Sequence, residues 1–106
     1  MCIRDRAEMA FSGGLGLRLD VRAVPREGVD RDDEVLFSES NSRFLVEVAP
    51  EDREEFEREL SGVPFALVGE VTEGEEFVVV GLEGKEVLRT SIWSLKEAWL
   101  GPLREV

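Results

Sequence analysis

"GEEFVVVGLEGKEVL", residues 74–88, decides the fold class. Phe77-Val78-Val79-Val80 is an unbroken apolar, mostly β-branched run, the pattern of a strand buried on both faces. Glu73-Gly74-Glu75 turns the chain into it, Leu82-Glu83-Gly84-Lys85 turns it out, and Glu86 to Leu88 runs back. The spacing predicts a β-hairpin, and a hairpin buried on both sides needs further strands beside it and helices above it.

Those strands are sought upstream. Phe65 to Val71 sets Phe65, Leu67, Gly69 and Val71 on one face, with Ala66 and Val68 on the other. Leu15 to Val24 alternates Leu15, Leu17, Leu19, Val21 and Ala23 against Gly16, Arg18, Asp20 and Arg22, a strand with one wet face. Arg43 to Val48 alternates in the same way and predicts another strand.

Helices are expected between and after these runs. Asp30 to Phe37 reads as one or two helical turns, with Asp30 and Asp33 suited to the N-terminal end and Val35, Leu36 and Phe37 supplying apolar contact. Glu51 to Leu60 is the clearest helix, opened by Pro50, apolar at Phe56 and Leu60, and stopped at Gly62. Ser94 and Glu97 have capping-box spacing and open a short helix carrying Leu95, Ala98 and Trp99, ended by Gly101-Pro102. Ala7 to Phe11 reads as a last helical turn, closed by Ser12-Gly13-Gly14. The order predicts an α+β fold: one mixed or antiparallel sheet with helices packed on it. Residues 1–6 are expected to be an artefact or disordered, and residues 7–106 to be part of an α/β domain of a larger protein.

Composition narrows function more than it names it. The chain has 106 residues, 42% hydrophobic and 35% charged, and a net charge of −11. No basic stripe suits nucleic acid. Without histidine, neither a Ser-His-Asp set nor the commonest zinc ligand is available. The single cysteine, Cys2, suggests a reducing cytoplasm, and no apolar run approaches the roughly 18 residues of a membrane helix. No phosphate-loop motif occurs, and Gly13-Gly14-Leu15-Gly16 precedes a strand where a dinucleotide loop would follow one. No catalytic residues and no metal ligands are assigned.

One stretch remains: Ser38-Glu39-Ser40-Asn41-Ser42-Arg43, at the mouth of the strand expected from Arg43. Backbone N–H groups and hydroxyls at such a turn can form an anion nest, and Arg43 adds a forked donor for phosphate or carboxylate. The other reading is a turn whose side chains satisfy their own backbone.

"LFSESNSRFLVEV", residues 36–48, resembles the Ser-Glu-Ser-x-x-Arg-Phe segment in the C-terminal domain of the phosphoribosylformylglycinamidine synthase family, synthetase subunit. "AEMAFSGGLGLRLDV", "GVPFALVGEVTEG" and "SIWSLKEAWLGPL" resemble its flanking segments in the same order, so the likeness spans roughly residues 7–103. The family belongs to the aminoimidazole ribonucleotide synthetase superfamily, with selenophosphate synthetase, thiamine-phosphate kinase and a hydrogenase maturation protein. The resemblance implies a truncated C-terminal α/β domain of an ATP- and magnesium-dependent C–N ligase of purine biosynthesis. That enzyme makes an amidine from formylglycinamide ribonucleotide, with ammonia drawn from glutamine by a partner glutaminase.

By the same resemblance, Glu39, Ser40, Asn41 and Arg43 are candidates for nucleotide or phosphate contact at an auxiliary cleft. The remaining domains of the synthetase would carry the ATP- and magnesium-binding residues, so this piece is expected to bind no cofactor and to be inactive alone. The alternatives are another superfamily member, kinase or maturation protein, and a noncatalytic domain that docks a partner.

Overall fold

Phe77 and Val79 are each 0% exposed, and Val78 and Val80 are each 5% exposed. The run is covered on both faces, as its unbroken apolar character predicts. In the computed structural model, which describes residues 1–104, the elements are α1 (Ile3–Gly13), β1 (Gly16–Asp20), α2 (Asp32–Phe37), α3 (Arg53–Glu59), β2 (Gly69–Thr72), β3 (Glu76–Val80), β4 (Glu86–Ser91) and α4 (Ile92–Arg104).

The sheet has the order β2-β1-β3-β4. β1 runs parallel to β3, while β2 pairs antiparallel with β1 and β4 antiparallel with β3. The sheet is mixed and the class is α+β. The expected hairpin is β3–β4, with Phe77 opposite Thr90 and Val79 opposite Leu88. β1 and β3 are parallel, so the chain must cross over between them, and α2, α3 and β2 lie in that crossover.

The two faces of β3 are covered differently. Phe77 and Val79 join Leu19, Val21 and Ile92 with Ala7, Ala10 and Phe11 of α1 in the core. α1 packs against α4, where the Phe11 and Trp99 rings lie 5.8 Å apart. On the other face, register sets Arg18 of β1 and Arg89 of β4 on either side of Val78. Arg18 and Arg89 both pair with Glu86, and Arg89 also with Glu76. The aliphatic stems of these arginines shield Val78 while the charged ends stay wet. The hydrogen bonds from Arg89 hold Glu86 ionised below the usual carboxylate range.

Several elements depart from expectation. Residues 1–6 do not fall outside the fold: Met1 is 2% exposed and α1 opens at Ile3. Ile3, Ala7, Ala10 and Phe11 recur at helical spacing, so the apolar face of α1 extends back through this segment. The Leu15–Val24 strand is cut short at Asp20 by a 3-10 turn over Val21–Ala23. The Asp20 carboxylate accepts the Arg22 N–H at 3.0 Å and pairs with its guanidinium at 2.6 Å, which fixes the turn. Arg26 then donates to the carbonyls of Val21, Arg22, Val24 and Val29, tying down the loop.

Arg43 to Val48 is not a strand, and Phe44 and Val46 are 88% and 56% exposed. Phe65 to Val68 is likewise outside the sheet, since β2 begins at Gly69. Alternation marks a segment that suits a sheet, but a ladder also needs a free neighbour. β1 and β3 are flanked on both sides, and neither segment lies in register along the outer edge of β2 or β4. Phe37 points outward at 70% exposure, leaving Val35 and Leu36 to anchor α2.

α4 begins at Ile92, before the expected Ser94, and its first turn is met by Ser91, whose Oγ accepts the Trp93 N–H at 3.1 Å. It also runs past Gly101-Pro102 to Arg104. In the last turn the missing proline N–H costs little further ladder.

Asp32 at the start of α2 reaches across the fold, where its Oδ1 accepts the Leu82 N–H at 2.7 Å. This bond ties the crossover to the β3–β4 turn. Asp32→Ala is expected to lower stability by about 1.5–3 kcal/mol, the range for a hydrogen bond to a charged group. Urea denaturation of the two proteins checks it, and Asp33→Ala, an exposed carboxylate that pairs with Arg31 and accepts the neighbouring Glu34 N–H, serves as the mild control.

Candidate functional site

The Ser38–Arg43 turn leaves α2 directly. Ser38 caps the helix, donating its hydroxyl to the Val35 carbonyl at 3.4 Å and accepting from the Met1 ammonium at 2.5 Å. Ser42 sits at φ 61°, the left-handed region that a non-glycine residue rarely occupies. That conformation reverses the chain in the turn and costs of order 1–2 kcal/mol.

The turn and the first turn of α1 enclose a pocket of about 180 Å³. Of the four candidate residues, Glu39, Ser40 and Arg43 line it, together with Arg4 and Arg6. Asn41 is exposed and is not among the lining residues, so the structure does not bring it to the pocket. Arg4 lies 4.0 Å from Glu39 Oε1 and 3.6 Å from Glu8. The Arg43 guanidinium donates to the Pro25 carbonyl at 2.8 Å, which fixes its position.

Three guanidiniums, Arg4, Arg6 and Arg43, share the pocket wall with the carboxylates Asp5 and Glu39. Burial lowers the pKa of Arg6, the Asp5 carboxylate opposes that shift, and Arg43 adds a smaller lowering. Like charges therefore face one another around the serine hydroxyls. Arg6 donates through one terminal nitrogen to the Cys2 carbonyl at 3.1 Å, while its buried Nε has no hydrogen-bond partner. Such a donor set suits a compact oxyanion. Sequence reading missed Arg4 and Arg6 because the first six residues were set aside. The helical recurrence from Ile3 to Phe11 was the signal that they belong to an ordered face.

A metal fares differently. Among the described residues no three Asp, Glu, Cys or His side chains converge to hold an ion. The residues do not fit magnesium, and no step is assigned through it. No helix among the described residues is long and apolar enough to cross a membrane.

The fold is a mixed-sheet α+β domain with a polar turn at the end of a short helix. The chain belongs to the family described as AIR synthase related protein, C-terminal domain, whose model matches residues 3–81. It is 38% identical over 100 residues to the phosphoribosylformylglycinamidine synthase subunit PurL of Alkaliphilus metalliredigens, a match covering 92% of this chain and 13% of that protein. The subunit of the same name from Thermococcus sibiricus is 37% identical, over 84% of this chain and 12% of its own length. That from Deinococcus radiodurans is 33% identical, over 94% and 13% respectively. The chain thus spans about an eighth of these curated relatives. No solved structure is significantly similar to it.

Proposed function

We propose that this chain is part of the C-terminal domain of a phosphoribosylformylglycinamidine synthase, synthetase subunit, acting in the cytoplasm in purine biosynthesis. The observation that carries the reading is 33–38% identity to subunits of that name across most of the chain. It also favours this reading over a kinase or maturation protein of the same superfamily. The whole enzyme would join glutamine-derived ammonia to formylglycinamide ribonucleotide, with a glutaminase and the remaining domains of the synthetase as partners. ATP supplies the phosphoryl group that turns an amide oxygen into a leaving group.

In this reading the residues of the chain bind and do not react. Arg43, held on the Pro25 carbonyl through one nitrogen, keeps other N–H groups for a nucleotide phosphate. The Ser40 hydroxyl is a further donor at the pocket wall. Glu39 accepts from a sugar hydroxyl or an amine, and its negative charge would oppose phosphate crowding on its side of the pocket. Fixed donors of this kind orient a charged group without rearranging as it binds.

The test uses the full-length synthetase that carries this sequence. Arg43→Ala is expected to weaken nucleotide binding by about 10-fold or more, the equivalent of losing a charge-assisted hydrogen bond. Glu39→Gln should alter binding with the fold intact by circular dichroism. Unchanged titration calorimetry for both variants would make the segment a structural turn. The 106-residue chain alone is expected to show no ATP-dependent turnover, and measured turnover would refute that part.

A further inference from the structure

The segments 43–48 and 65–68 are patterned as strands yet lie outside the sheet, and Val63-Pro64 leads into the second. Phe44 and Val46 are 88% and 56% exposed, and Val63, Phe65 and Leu67 are 57%, 41% and 59% exposed. Across 43–48 and 63–68 the only charged residues are Arg43 and Glu47, in a chain that is 35% charged. A solvated surface of such a chain would carry far more charge.

Each segment is tethered to the chain near the end of β1. The Arg43 guanidinium holds the Pro25 carbonyl at 2.8 Å, and the Asp20 N–H donates to the Val68 carbonyl at 2.8 Å. The two anchor points, Asp20 and Pro25, flank the 3-10 turn that follows β1. β2 continues from the second segment, its outer edge unpaired and Val71 45% exposed. An open edge beside exposed apolar side chains is a template for an added strand.

We propose that segments 43–48 and 63–68, with the outer edge of β2, are the surface on which polypeptide of the full-length synthetase from outside these 106 residues docks. The proposal rests on the synthetase reading above. Its occupant follows from two observations. The relatives that align with 92% and 94% of this chain carry it as only 13% of their own length, so most of such a protein is available to cover it. A second copy of this chain would bring another net charge of −11 against the first, which opposes self-association.

The full-length synthetase carrying this sequence provides the test. Phe44 replaced by the photoreactive p-benzoylphenylalanine should cross-link to peptides of the same polypeptide outside the 106 residues. Without any substitution, backbone amides of 43–48 and 63–68 should exchange at least about 100-fold more slowly than an open chain. Cross-links confined to the 106 residues, to a second copy or to another protein overturn the proposal, as does exchange at the open-chain rate. A reading frame around this sequence that encodes no synthetase overturns the functional reading and this docking together. A synthetase whose two segments exchange freely overturns the docking alone.

Discussion

Phe77→Ala is expected to destabilise the domain by about 3–5 kcal/mol, the cost of emptying a large buried aromatic site. Phe77 is 0% exposed on β3, the strand that carries both the parallel pairing to β1 and the antiparallel pairing to β4. Its ring also lines the apolar cleft between α1 and α4. Removing it takes contacts from the sheet and both helices at once. Because a domain of this size is stable by only about 5–15 kcal/mol, the loss is a large share of the total. Urea denaturation should show a lower midpoint with a similar slope. The same substitution at Phe44, 88% exposed, should fall within about ±0.5 kcal/mol in the 106-residue chain. Equal losses at both positions would mean that β3 is not the centre of the core.

Gly69→Ala should follow, through excess volume where Phe77→Ala leaves a void. A Cβ at Gly69 would stand 2.2 Å from the Arg18 carbonyl oxygen and 2.9 Å from Leu19 Cδ2. The first of these is backbone of β1, already paired with β2 as Leu19 opposite Gly69. It cannot retreat without opening the ladder. The expected cost is about 1–3 kcal/mol, and each kcal/mol lowers the melting temperature by about 4–8 °C in a domain near this size. Gly13→Ala is the contrast. Nothing lies within 4 Å of its Cβ and it closes α1, so alanine should gain up to about 1 kcal/mol from helix propensity. A thermal melt in which Gly69→Ala is neutral would show that β1 and β2 do not meet in this register.

How much of this was legible can be traced residue by residue. The hairpin was readable because Phe77 to Val80 is apolar without interruption and is flanked by turn residues, a purely local signal. The helix near Glu51 was equally local. Segments 43–48 and 65–68 were not settled by alternation, because pairing depends on which neighbour the folded chain brings alongside, and open edges remain on β2 and β4. The early end of β1 was written in Asp20 and Arg22 at two-residue spacing, but only the folded geometry shows the carboxylate turning back on the Arg22 N–H. The pocket was half legible. Glu39, Ser40 and Arg43 announced themselves as a polar turn, whereas Arg4 and Arg6 reach it only because α1 lays its first turn against the end of α2.

The sequence by itself determined the α+β class, the hairpin with its buried first strand and the polar turn, since each is set by the spacing of side chains along a few residues of chain. Tertiary structure alone decided the strand order, the apolar segments left outside the sheet, and the guanidiniums gathered around the serine hydroxyls. Those depend on residues far apart in the chain competing for the same edges and faces, and that competition is resolved only when the chain has folded.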